Sequence, residues 1–248
     1  MVYAIGKCGK KEPLDQGLKK LRFSLYAEKL PDPPVGVDWR CPEDVLALFL
    51  NNILSCCTIT ATGHAIQTWT GAVNRPARPT DEEVRTAYSA ISGYDPVTGA
   101  NDDGAYMLDA LKFWRKVGIG THKIGAFTTI DDDLVLRLKQ GIYHFEAVYA
   151  GLALPRSIEG QEVWDVVDGP DGAPNSLGGH AVVAVAYNEI GPIVASWGRF
   201  VQTTWAFWAK HCDEAYVAIS EDMLDTVGMT PHGFDMSALR RDLRLVTK

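Results

Sequence analysis

The chain has 248 residues, 46% apolar and 22% charged, which is enough for one large domain with a real hydrophobic core. Its net charge of −7 argues against nucleic acid as a partner, since phosphates need a basic face. No apolar run approaches the roughly 18 residues that span a bilayer, and Met1 to Lys11 lacks the apolar core of a signal peptide, so neither a membrane partner nor standard export is expected.

Residues 1–36 read as an N-terminal arm, basic near its start and closed by the stiff segment Pro31-Asp32-Pro33-Pro34. An apolar stretch from about Val45 to Leu50 leads to a helix that begins near Cys57, with Ser55 as N-cap, and runs to about Trp69 before Gly71. Thr80-Asp81-Glu82-Glu83 is a capping box for a second helix to about Ile91. A third helix is predicted over about 104–117. A fourth starts at Asp131-Asp132-Asp133, where negative charge suits the helix dipole.

After Gly141 the pattern turns to strands: 143–154, 163–167, 180–187, 193–197 and 215–219. The tail, 221–248, reads as a loop with a short amphipathic helix around 236–243. Helices first and strands later imply an α+β protein with segregated lobes.

Five cysteines at irregular spacing, Cys8, Cys41, Cys56, Cys57 and Cys212, suit a reducing compartment better than a disulfide framework. No C-x-x-C occurs, and neither a metal nor a cofactor is expected. The chemistry-bearing pattern is a cysteine at a helix start, Cys57, and a histidine on a distant strand, His180 in Gly179-His180-Ala181-Val182. A helix N-terminus and a nearby imidazolium both favour a thiolate. Taken alone, Cys57 is a small buried hydrophobe and His180 a core histidine. Cys56 is a competing nucleophile with poorer spacing. His64, Trp197 and Trp205 read as packing residues, and Asp168 and Asp171 as solvated loop residues.

These segments resemble the papain-like cysteine peptidases over about residues 31–220. Val37-Asp38-Trp39-Arg40 is similar to the stretch near that family's mature N-terminus, and Cys57, 19 residues after Asp38, fits its nucleophile. Asn51 stands where the family carries an oxyanion-hole glutamine, and Gly179-His180-Ala181 resembles the segment around its base. Ser196-Trp197-Gly198 with Trp205 resembles the segment that supplies the third residue, and 215–219 the closing strand. The resemblance implies a papain-like fold over 37–220. A helical lobe of about 41–130 would pack on a sheet lobe of about 140–220, with Cys57, His180 and Asn51 in the cleft between them.

It also implies a thiol hydrolase acting on a peptide or isopeptide bond of a peptide or protein substrate. Three departures stand out. Ala195 occupies the place of the asparagine that orients the imidazole, Thr58 follows the nucleophile where a tryptophan is usual, and the arm is short for an inhibitory propeptide.

A looser resemblance, through Asn-x-x-Leu-x-x-Cys-Thr and Gly-Gly-His-Ala-Val, is to proteins of bacteriophages and prophages. It implies an alternative: a catalytically impaired papain-fold virion component, a pseudoenzyme partnered by capsid or tail proteins. The expected location is the cytoplasm of a bacterial host or the virion. Peptidoglycan amidases and transglutaminase-like enzymes are further thiol hydrolases to weigh.

Overall fold

The computed structural model describes residues 4–13, 22–28, 30–225 and 230–231, and the helix expected around 236–243 lies outside them. Its centre is α2 (Cys57–Ala72), buried at every position from Cys57 to Thr70. The helix is built of small, β-branched and apolar residues, so it can be enclosed on all sides rather than on one stripe. Three of its threonines keep their hydrogen bonds inside the helix. Thr62, Thr68 and Thr70 donate to the carbonyls of Ile59, His64 and Ile66, which satisfies each hydroxyl within the helix. Cys56, not Ser55, is the N-cap. The Ser55 N–H instead donates to Asp102 Oδ1 at 2.8 Å.

Around α2 lie α1 (Ser24–Ala27), α3 (Asp81–Ser92), α4 (Met107–Lys116), α5 (Leu134–Phe145) and α6 (Trp205–His211). The capping box forms as expected: Thr80 Oγ1 accepts from the Glu83 N–H and Glu83 accepts from the Thr80 N–H. Helix α4 starts three residues later than predicted. Gly104 turns with φ +77°, and the Ala105 N–H is taken by the Gly9 carbonyl of the arm. Tyr143 to Phe145, expected in a strand, finish α5 instead, and the chain reverses at Glu146 (φ 63°).

The strands are β1 (Val37–Asp38), β2 (Ile124–Thr129), β3 (Val148–Leu154), β4 (Val163–Trp164), β5 (Gly178–Tyr187), β6 (Pro192–Ser196), β7 (Arg199–Thr203) and β8 (Cys212–Ser220). They form one sheet in the order β2-β8-β3-β5-β6-β7-β4, with β1 added to β5, and only β4–β7 is parallel. The sequence pattern had not indicated β2, β7 or α6. Strand β2 lies inside the span read as helical, yet it pairs with β8 at the sheet edge. Strand β5 is central and almost wholly buried. It faces α2, and Tyr149 of β3 fixes the helix start by donating from its hydroxyl to the Thr58 carbonyl at 2.8 Å.

Glu146 is completely buried at the α5–β3 corner, and neither carboxyl oxygen has a hydrogen-bond partner. Burial pushes its pKa up from 4.5 to about 9. Between those values the folded chain holds a proton that the unfolded chain releases, so stability falls as pH rises through that window. The expected loss is up to about 1.4 kcal/mol per pH unit. Glu146→Gln should flatten that dependence in urea melts at pH 5 and pH 8. Parallel pH dependence in the two proteins would show that Glu146 is not the group responsible.

Candidate active site

Cys57 is the first residue of α2, and its end of the helix abuts the start of β5. The Ala181 N–H donates to Cys57 Sγ at 3.4 Å, which places the sulfur beside the residue that follows His180. His180 is buried. Its Nε2 is 2.8 Å from Ser196 Oγ, and its ring stacks on Trp197 with centroids 4.3 Å apart and planes at 27°. Its Nδ1 is buried without a hydrogen-bond partner, and no hydrogen bond joins it to Cys57.

Strand alternation decides which residue of β6 meets the imidazole. Neighbouring residues of β6 point to opposite faces. Ala195 packs with Cys41 and Leu46, while Ser196 turns its hydroxyl to the imidazole. Ala195 offers the ring no hydrogen bond, and Ser196, one residue later, is the side chain that meets it. Trp197 is a packing residue as expected, and one of the rings it packs on is that of His180. It takes φ 49° and Gly198 takes φ 71° in the two-residue β6–β7 hairpin, a turn that places both central residues at positive φ. That turn lays the indole over His180.

Asn51 is buried beside the arm. Its Nδ2 donates to the Lys7 carbonyl and to the Leu54 carbonyl, each at 3.0 Å. Trp197 Nε1 reaches the same Lys7 oxygen at 3.4 Å. Phe49 and Leu50, both at positive φ, carry the chain into Asn51. Cys56 holds that turn: its thiol donates to the Phe49 carbonyl and lies 3.4 Å from Thr60 Oγ1. Burial pushes the Cys56 thiol up to about 12. His64 is a core residue as expected, with Nε2 2.7 Å from the Ala47 carbonyl and burial holding it down at about 4.

The feature the sequence did not show is the occupant of the cleft. Residues 4–13 run through it. The Lys7 N–H donates to the Asn51 carbonyl, and the N–H groups of Gly9 and Lys10 both donate to the Gly179 carbonyl. The fit requires glycine at two crossings. A Cβ on Gly9 would overlap the Ser55 carbonyl, and one on Gly179 would overlap the Lys10 carbonyl.

Under this cover Cys57 is fully buried. Its thiol is pushed up to about 11 by burial, against the opposing pull of the Ala181 and Gly9 N–H groups and the Lys10 charge. His180 is held down at about 3 by burial and by neighbouring His64. Thiol and imidazole are both neutral in this closed arrangement.

No protein-family model matches the chain, and neither does the sequence of any curated protein. Its structure is similar to that of xylellain, a cysteine protease from Xylella fastidiosa. The two share 15% identity at a TM-score of 0.65, over 88% of this chain and 99% of that one. Procathepsin L 3 of Tenebrio molitor matches with 14% identity and a TM-score of 0.58, over 85% and 75%. The procathepsin B of Trypanosoma congolense matches with 12% and 0.57, over 86% of each chain. The fold is papain-like, α+β as expected. Among the described residues no group of three or more His, Cys, Asp or Glu could hold a metal ion, and no helix is long and apolar enough to cross a membrane.

Because His180 Nδ1 already lacks a partner, Ser196→Ala would leave both ring nitrogens unmet in the core. The expected destabilisation is about 1–3 kcal/mol by urea denaturation. A change under about 0.5 kcal/mol would show that the Ser196–His180 bond does not orient the ring.

Proposed function

We propose that this chain is a papain-like cysteine peptidase, or a related thiol hydrolase of peptide or isopeptide bonds, held closed by its own arm. The observation that carries the reading is the joint at Cys57. A cysteine on the first turn of a buried helix is hydrogen-bonded to the backbone beside a histidine that Ser196 and Trp197 hold in one orientation. A core cysteine and a core histidine need no such arrangement.

With the arm displaced, water returns to the cleft and both groups move toward their ordinary pKa values. His180 Nδ1, the nitrogen without a partner, then takes the thiol proton. The Cys57 sulfur attacks the substrate carbonyl carbon, and the oxygen takes up the electron pair of the broken π bond. Asn51 Nδ2 already donates to a peptide carbonyl of the arm, and it would donate to this oxyanion together with the Cys57 N–H. The tetrahedral centre collapses and the leaving amine takes the proton from His180. Water then attacks the thioester, giving its proton to His180, and frees Cys57.

The alternative, a papain-fold scaffold such as a virion protein, draws on the same closed cleft: Cys57 is inaccessible and the pair is neutral. Opening the cleft separates the two. Gly9→Val in the full chain would press a side chain on the Ser55 carbonyl and lift the arm. The expected result is iodoacetamide labelling of Cys57, located by mass spectrometry, at least tenfold faster than in the parent and persisting down to about pH 5. Peptide hydrolysis should appear with it. Cys57→Ala should abolish that hydrolysis, while Cys56→Ala should lower stability and leave most of it. A lifted arm with Cys57 reactive only above about pH 8.5 would favour the scaffold.

A further inference from the structure

The arm is read by the cleft mostly through its backbone, but one of its side chains is seated in a built socket. Lys10 has a side chain only 1% exposed, against 48% for Lys7 at the rim. A lysine is almost never buried so fully unless it is paired. Its Nζ donates to Asp213 Oδ2 at 2.8 Å and lies 3.5 Å from Glu214 Oε1.

Both carboxylates stand at the start of β8, and the Tyr216 hydroxyl holds the other oxygen of Glu214 at 2.8 Å. Opposite Glu214 on β3 is Gly151. A Cβ there would come 2.7 Å from Lys10 Cδ and 2.8 Å from Glu214 Cγ, so the glycine makes the space that the lysine stem fills. The socket opens one residue along the arm from Gly9, whose N–H faces Cys57, and beside Gly179, which precedes His180.

The Gly9 and Lys10 N–H groups beside it are held by backbone hydrogen bonds to the Gly179 carbonyl, which carry no side-chain preference of their own. Lys10 occupies its socket as a substrate side chain would. On the reading of this cleft as a thiol-peptidase site, we propose that it selects substrates with a lysine at the position Lys10 now fills, with Gly151, Asp213 and Glu214 as the specificity determinants. Gly151 admits an unbranched stem, and the paired carboxylates at the end of the socket favour a cation and repel an acidic side chain. The arm holds the cleft closed by supplying the residue the cleft prefers.

The test uses the full chain with Lys10→Ala, which empties the socket. Two readouts are taken. The first is kcat/KM for internally quenched peptides in which Lys, Leu or Glu is stepped through six positions. The second is calorimetric binding of a synthetic peptide of residues 4–13, compared with the same peptide carrying leucine at the Lys10 position.

At one position Lys should exceed Leu at least tenfold, with Glu poorest, and the lysine-bearing arm peptide should bind at least tenfold tighter. Adding Asp213→Asn and Glu214→Gln should bring Lys within about threefold of Leu in both readouts. Hydrolysis that depends on Cys57 but treats Lys and Leu alike would overturn the socket and leave the peptidase reading standing. Lysine-dependent binding with no hydrolysis of any peptide would overturn the peptidase reading and keep the socket as a lysine-recognition site. Equal binding of the two arm peptides overturns the socket whatever the activity.

Discussion

Everything at this site depends on one packing constraint: the first turn of α2 must be enclosed between β5 and the arm. A helix buried from Cys57 to Thr70 can only be accommodated if its neighbours are small where it meets them. The sheet meets that need with the Gly178-Gly179 start of β5, and the arm meets it with Gly9. The same close approach brings the Ala181 N–H to the sulfur. The geometry a thiol nucleophile needs and the close packing that buries it therefore arise from one set of contacts.

Those contacts set two electrostatic effects against each other. The helix N-terminus favours a thiolate at Cys57 by ~2 kcal/mol at most, and the N–H groups of Ala181 and Gly9 add to it. Burial opposes them and wins while the arm is seated, because an anion in a dry site loses more hydration than a few dipoles restore. The imidazole faces the same penalty for its cation, with His64 beside it. A neutral, closed pair and a charged, reactive one would thus differ mainly in whether water reaches the cleft. The residues that position sulfur and ring stay the same in either state. Lys10 couples the two conditions, since the cation that sits in the acidic socket belongs to the segment that excludes the water.

Much of this was legible in the sequence where the signal is local or fixed by spacing. Cys57 at a helix start, the Thr80–Glu83 box and the apolar run of β5 with its histidine each follow from a few neighbouring residues. What stayed hidden is set by pairing between distant segments. Ala195 and Ser196 cannot be told apart as partners of His180 until the β5–β6 register, Val183 opposite Ala195, fixes which one faces the ring. Strand β7 is joined to β6 through Trp197-Gly198, a turn whose tryptophan at positive φ is not a usual hairpin signal. Helix α6 is a short aromatic run with a Thr204 cap, and it reads as readily as a strand. Lys10 lies in a basic stretch that looks solvated, because nothing near it in sequence announces the two carboxylates of β8.

The strained positions follow the same logic. Phe49, Leu50 and Trp197 take positive φ without being glycine, an arrangement costing of order 1–3 kcal/mol each that persists only where surrounding contacts over-determine it. At 49–50 those contacts are the Cys56 thiol and the Thr60 hydroxyl on the Phe49 carbonyl, and the product is the placement of Asn51. At 197 they are the β6–β7 ladder and the stack on His180. Each strained turn thus delivers one side chain to the cleft: the Asn51 amide in one case, the indole that covers the imidazole in the other. The two turns place their groups within reach of the same arm carbonyl, that of Lys7. The cost of each turn is thus offset by contacts that also fix the position of a cleft side chain.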